Sequence, residues 1–449
     1  MMTLETLVEL VTARTMRGIA LEVANLIRNG TIPIGSQLPP VRDLADAMGV
    51  SPATISGAWK QLRTYRMVSG SGRTGTWVRG DQTSLRPARY EDFANYGENI
   101  VADLRFASPD PQLLPDIREA LSKAHRVSHL NSYVRDTIAP ELEEVIAQDW
   151  SYEGCTFTAV NGGYDGLHTT LQTIVVPGAT VAIEDPTALR VFDILEKLGA
   201  RVVGVACDSE GPLPESLAAA LNEKPVVFLF QPGSHALTGE RLSAKRLKQL
   251  GALFKDNDTL IIELDGLSGL ASQRPLSLGS MYPDRVVHIR TMSKSLGTDF
   301  RLAVLSSSSK FADQIQAYRN FREGWTSRIL QGAAAHLLTT PKSLKEIEHA
   351  RSVYAQRRET LGAAMIERGL HVSGRDALCI WLPVPDEQFA LITLAARGIA
   401  VQPGSSFQVT PRPFIRVATS ANITAENVDA IADALAHASR RGEGMLSRE

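Results

Sequence analysis

Cysteine is scarce. The 449-residue chain has three, Cys155, Cys207 and Cys379, far apart and without C-x-x-C spacing. That argues against a disulfide framework and a structural zinc, so no metal site is expected, and it fits a reducing cytoplasm. No apolar run is long enough to span a bilayer, which excludes a membrane anchor of that kind. The stretch from Met1 to Val11 holds Glu5 and Glu9 and no basic segment, so no secretory leader is expected there. Internal repeats and low-complexity tracts are also missing. What remains is an ordinary globular composition in a chain too long for one core.

The formal net charge of -2 conceals an asymmetry. Residues 1–80 carry nine Lys/Arg against five Asp/Glu, and the remainder carries 38 against 44. A basic head on an acidic body directs any polyanionic partner to the head.

The head's pattern predicts three helices and a hairpin. Ile19, Val23, Leu26 and Ile27 recur at helical spacing before Asn29-Gly30. A second helix starts at Pro40, buries Val41, Leu44, Ala45 and Met48, and stops at Gly49. Ser51 caps a third, with Ile55, Ala58, Trp59 and Leu62 as its buried stripe. Two short strands follow, near 67–68 and 76–79, around a glycine-rich turn. A helix, a tight turn and a capped helix make a helix-turn-helix, whose second helix enters a major groove by its N-terminal residues. Lys60 and Arg63 lie further along it, within reach of phosphates.

From 81 to about 100 the chain is polar and reads as a linker. Beyond it, β-branched runs at 156–160, 180–184, 201–206, 226–230, 260–263, 286–290 and 302–305 alternate with helical stretches. That rhythm predicts a mostly parallel sheet covered on both faces. Looser strands at 378–383, 398–402 and 414–418 predict a smaller C-terminal α+β subdomain.

The segment T-M-S-K-S-L-G-T-D-F-R, residues 291–301, carries the chemistry. A lysine that condenses with an aldehyde must be positioned and neutral, and Lys294 follows a strand in a Ser/Gly loop. Thr291, Ser293 and Arg301 supply hydroxyls and a guanidinium for a phosphate. Asn161-Gly162-Gly163-Tyr164, between a strand and a helix, offers a second anion cradle. Either fragment alone is weak, because a lone S-K is usually a surface lysine.

The stretch GTIPIGSQLPPVRDLADAMGVSPATISGAWKQLRTYRMVSGSGRTGTWV resembles the winged-helix domain of the GntR family. The resemblance implies a phosphate contact by Arg42, groove contacts by Ser51 and Thr54, and minor-groove contact by the wing at Gly72, Arg73 and Thr74. Many relatives have Arg early in the recognition helix, where this chain has Pro52 and Ala53. The body, through DLRFASPDPQLLPD, VAIEDPTALR, SKSLGTDFRLAVL, EGWTSRILQ, VQPGSSF and PFIRVA, resembles the fold-type I aminotransferases. Together, head and body resemble the MocR-type regulators over essentially the whole chain.

The resemblance implies an α/β fold: a winged helix-turn-helix head (1–80), a linker (81–100) and a pyridoxal phosphate-dependent transferase-like body (101–445). It implies pyridoxal 5'-phosphate as cofactor, Lys294 as its Schiff-base lysine, and Arg301, Thr291, Ser293, Gly162 and Gly163 around its phosphate. Tyr133 would reach the neighbouring subunit's cofactor in a head-to-tail homodimer, and Arg416 would grip an effector or substrate carboxylate. Three departures bear on function. Ala188 stands where an aromatic usually stacks on the pyridine ring, with His235 and Tyr164 as replacements or as packed wall residues. Ala236-Leu237 stands where relatives have Asn-Pro. Glu263-Leu264-Asp265 stands where relatives have E-D-D, so either Asp265 or Leu264 faces the pyridine nitrogen; Asp265 is the expectation. Three functions follow. The favoured one is a regulator of double-stranded DNA that senses an amine, an amino acid or a B6 vitamer. The others are an aminotransferase with an appended DNA-binding head, and a regulator whose body is a cofactor-free dimerisation scaffold.

Overall fold

The computed structural model describes residues 4–28, 31–33, 35–64, 67–70, 75–78, 100–374, 376, 378–420 and 423–440. The chain divides into two compact units, Met1–Pro87 and Ala88–Glu449.

The first unit has four helices, α1 (Leu4–Leu10), α2 (Met16–Arg28), α3 (Val41–Met48) and α4 (Pro52–Thr64). Its core joins Leu7 and Val11 to Ile19 and Val23 of α2, Leu44 of α3, and Ile55, Trp59 and Leu62 of α4. α3 ends because Gly49 takes the left-handed conformation (φ 65°). α4 begins because the Ser51 hydroxyl accepts from the Thr54 amide at 3.1 Å. Gly57 lets α4 lie close to α2, since a Cβ there would stand 2.4 Å from the Met16 sulfur. A small antiparallel sheet completes the unit: β3 (Thr76–Val78) lies between β1 (Gln37–Leu38) and β2 (Val68–Ser69). The hairpin strands agree with the sequence pattern; α1 and β1 go beyond it.

The second unit is built on an eight-stranded sheet: β5 (Thr156–Val160), β6 (Thr180–Asp185), β7 (Arg201–Asp208), β8 (Gly211–Pro212), β9 (Val227–Phe230), β10 (Leu260–Asp265), β11 (Val286–Thr291) and β12 (Ala303–Ser307). Their order is β5-β12-β11-β10-β9-β6-β7-β8. β6, β7, β9, β10 and β11 run parallel, whereas β12 is antiparallel to both neighbours. Every residue of β6, β9, β10 and β11 is buried, as expected of a sheet covered on both faces. Helix α5 (Gly163–Ile174) follows β5 and sends Leu167 and Leu171 into the core on one face.

A smaller antiparallel sheet pairs β16 (Phe414–Ala418) with β13 (Cys379–Pro383) and β15 (Gln402–Pro403). β4 (Ala102–Asp103) runs parallel to β14 (Ile399–Ala400), which joins the start of this unit to its C-terminal part. Helix α6 (Pro341–Glu367) serves both cores. Ile347, Ala350 and Tyr354 pack in the larger one, and Leu361 and Met365 in the smaller.

Candidate functional site

The carboxyl ends of the parallel strands open onto a cavity of about 360 Å³. Loops and helix N-termini converge at that edge of an open α/β sheet, so ligands are usually held there. Gly163 and Tyr164 come from the start of α5, Ala188 from the loop after β6, and Gln231 from the end of β9. Leu264 comes from β10, Thr291 from β11, and Ser293 and Lys294 from the loop beyond it.

One end is an anion cradle. The first-turn amides of α5 have no carbonyl partner within the helix, and the helix dipole favours negative charge beside them. The hydroxyls of Thr291 and Ser293 lie 3.2 Å apart. Arg301 is left-handed (φ 46°), unusual for a residue with a side chain, and its Nη2 donates to the Asn161 carbonyl at 3.0 Å. Gly162 lies against that guanidinium, from which a Cβ would stand 3.0 Å away; a Cβ on Gly163 would stand 3.2 Å from Thr291. Side chains at these two positions would fill the cradle.

Lys294 is half-buried, and its Nζ donates to the Ala107 carbonyl. Burial, and then the positive charge of Arg416, push its ammonium down to about 8. Arg416 reaches the same cavity from β16. Its Nη1 donates to Gln402 Oε1 at 2.5 Å, its guanidinium lies 5.2 Å from the Phe407 ring centre, and its buried Nε has no partner. A nucleophilic amine thus shares a cavity with a guanidinium able to take a carboxylate.

The expectation for Asp265 is overturned. Successive side chains of a strand point to opposite faces, and β10 turns Leu264 into the cavity. Asp265 shares the other face with Glu263, where it borders a separate cavity with Arg290. Gly266, Leu267 and Ala188 continue the apolar wall around Leu264, so no carboxylate of β10 reaches this cavity. His235 is a packed residue rather than part of the lining. Its Nε2 donates to the Pro186 carbonyl at 3.0 Å and lies 3.4 Å from Glu184, whose charge holds the imidazole above its ordinary value against the opposing effect of burial. Tyr164 does line the cavity, with the Arg190 guanidinium 5.2 Å from its ring centre. Tyr133 is 89% exposed, edge-on to Trp325, and outside its own chain's cavity.

In the head, Arg42 and Ser51 are exposed and Thr54 half-buried, at the starts of α3 and α4. Ser51 and Thr54 share a hydroxyl–hydroxyl hydrogen bond of 2.8 Å. Gly72, Arg73 and Thr74 lie outside the described residues.

The sequence pattern alone missed Gln231, Gln402, Phe407 and the Ala107 carbonyl. Gln231 donates to the buried Glu184 at 2.7 Å and accepts from the Ala236 amide at 2.9 Å, which ties together two parts of the cavity lining. The signal available was the alternation of β15 and β16, which sets Gln402 directly across from Arg416. Among the described residues no helix is long and apolar enough to cross a membrane, and no group of three or more His, Cys, Asp or Glu residues could hold a metal.

Residues 101–435 match the family described as aminotransferase class I and II, and residues 15–78 match bacterial regulatory proteins of the gntR family. The vitamin B6 salvage pathway transcriptional repressor PtsJ of Salmonella typhimurium is 31% identical, over 87% of this chain and 91% of its own. The HTH-type pyridoxine biosynthesis transcriptional regulator PdxR of Corynebacterium glutamicum is 26% identical, over 85% and 86%. Among solved structures, Pyrococcus horikoshii kynurenine aminotransferase superposes with a TM-score of 0.69 at 20% identity, covering 76% of this chain and 91% of that one. At that identity the likeness concerns the fold alone.

Proposed function

Since the chain belongs to the aminotransferase class I and II family and joins such a body to a gntR-family head, the MocR-type combination, we propose that it is a transcription regulator that holds pyridoxal phosphate at Lys294. The observation that carries this reading is the cavity itself: a lysine lowered to about 8 beside an anion cradle, but with leucine on the β10 wall. The residues present fit the group. Thr291, Ser293, Arg301, Gly162 and Gly163 would hold its phosphate, and Lys294 would meet its carbonyl. When bound, the cofactor supplies an aldehyde that condenses reversibly with amines.

Arg416, with Nε unpartnered, would hold the carboxylate of an amino acid effector; a B6 vitamer would use the phosphate cradle. Tyr133, exposed and away from its own cavity, suits contact with a second copy's cofactor in a homodimer. An effector shifts the regulator only by binding two conformations unequally, and DNA affinity then changes by the same coupling factor. The apolar wall at Leu264 favours sensing over turnover, because no carboxylate from β10 holds the pyridine nitrogen protonated.

The test uses duplexes selected from a random pool by the intact protein. Pyridoxal phosphate is expected to change wild-type affinity for them and to leave Lys294→Ala unaffected. An equal response in both proteins would remove Lys294 from the reading, and repeated keto-acid turnover by wild type would replace it with the enzymatic one. Arg42→Ala is expected to weaken binding to all duplexes alike and to reduce the slope of log affinity against log salt by about 1. A salt titration of both proteins checks this, and an unchanged slope would mean that Arg42 does not face the phosphates.

A further inference from the structure

The Lys294 cavity is lined by charge of one sign. Arg105, Arg190, Lys294, Arg301 and Arg416 stand in its wall, and no Asp or Glu does. A concave wall of this kind gathers anions. One phosphate and one carboxylate account for only part of it. Arg301 belongs to the anion cradle with Thr291 and Ser293, and Arg416 reaches in from β16 at the other side of Lys294. Arg105 is met from behind the wall, since its Nε and Nη2 donate to the two carboxylate oxygens of Asp103 at 2.9 and 2.8 Å.

Arg190 has no part in either of those tasks. It is half-buried, two residues beyond Ala188, with its guanidinium 5.2 Å from the Tyr164 ring centre. A guanidinium laid over an aromatic face keeps its N–H donors around its rim, where it can meet a carboxylate bidentately. Its place on the chain adds to this. Arg190 lies in the first turn of the helix Leu189–Lys197, which has no acidic residue in that turn. The residue that caps this helix is Ala188, with no side chain to accept from the first-turn amides. Ala188, Leu189 and Arg190 all line the cavity, so the positive end of the helix dipole and a guanidinium favour an anion at the same wall.

We propose that the effector taken up beside pyridoxal phosphate is an α-amino dicarboxylic acid, with its α-carboxylate on Arg416 and its second carboxylate on Arg190. This rests on the reading of the cavity as a pyridoxal phosphate site and narrows its effector from amino acids in general to acidic ones. A neutral amino acid would make no use of Arg190 or of the helix beside it.

The test is calorimetric titration of the full chain, first loaded with pyridoxal phosphate as judged by its visible absorbance. The probes are L-aspartate, L-glutamate and L-2-aminoadipate, against L-asparagine, L-glutamine and L-norleucine as neutral counterparts. At least one acid is expected to bind more tightly than its counterpart by about tenfold to a hundredfold, the worth of a hydrogen bond to a charged group. Arg190→Gln is expected to bring that ratio to about one, Arg190→Lys to restore part of it, and Arg416→Gln to weaken acid and counterpart alike. The comparison within wild type needs no variant, so it decides the matter if an Arg190 variant fails to fold. A loaded protein that binds none of the six, or binds acid and counterpart equally at all three lengths, would overturn the proposal and leave the cofactor reading standing. A preference that survives in Arg190→Gln would overturn it too, by assigning the second carboxylate elsewhere. Failure to load with pyridoxal phosphate would remove both readings together.

Discussion

At pH 7.5 about a quarter of Lys294 is expected to be neutral, roughly two hundred times the fraction of an ordinary lysine, and to react with pyridoxal phosphate accordingly. The cause is burial, which disfavours the ammonium, reinforced by the nearby Arg416 charge. Adduct fixed by borohydride, followed against pH, should rise with a midpoint near 8 in wild type and be missing in Lys294→Ala. Arg416→Met should move the midpoint upward, since it removes a like charge. The same shift bears on folding. Below about pH 8 the lysine is charged in both states, and the folded state carries the full cost of burying that charge. Between about 8 and 10.5 the unfolded chain binds more protons, so this group's contribution becomes more favourable as pH rises. Partial exposure of Lys294 limits its size. A midpoint above about 10 would sink the account of a primed lysine.

Local chemistry was legible in the sequence, and long-range pairing was not. The Ser51 cap and the Gly49 stop depend on neighbours within four residues, and both stand as the pattern indicates. The long β-branched runs mark the strands of the large sheet because burial on both faces leaves little room for polar residues. The reversed direction of β12 carries no such mark, because alternation is the same in either direction. β1 and β4 have two residues each, and their partners lie far along the chain: Gln37 with Trp77, and Ala102 with Ile399. Residues 398–402 read as one strand but divide between β14 and β15, which pair with different elements. Glu263-Leu264-Asp265 fails for a related reason. Alternation says that Leu264 and Asp265 face opposite ways, but which way the cavity lies depends on the sheet around them. Glu263 settles it, since its carboxylate accepts from the Ser277 hydroxyl at 2.6 Å and the Leu278 amide at 2.7 Å, and Asp265 shares its face. The cavity bordered by Arg290 was wholly hidden, because its walls come from segments scattered between Val145 and Arg351.

Leu264→Asp is expected to have the opposite effect to Lys294→Ala and to create activity. A carboxylate beside the pyridine nitrogen keeps the ring protonated and able to withdraw electrons, and the wild-type wall of Leu264, Gly266, Leu267 and Ala188 has none. The new carboxyl would be nearly as buried as the leucine it replaces, which is 7% exposed, so alone it would resist ionising. A protonated ring nitrogen supplies the opposite charge that offsets this. Preorganised charges of this kind are worth about a hundredfold in rate or more, so keto-acid formation from amino acid donors should rise by about that factor over wild type. Leu264→Asn separates charge from polarity, since its amide fills similar space without ionising and should leave the rate at the wild-type level. Losing the leucine costs about 2–5 kcal/mol of packing, so thermal unfolding of the loaded protein must first show both variants folded. A folded, loaded Leu264→Asp no faster than Leu264→Asn would show that the inactivity expected of wild type has its origin elsewhere in the cavity, with Ala188 in the place of a stacking ring as the next difference to reverse.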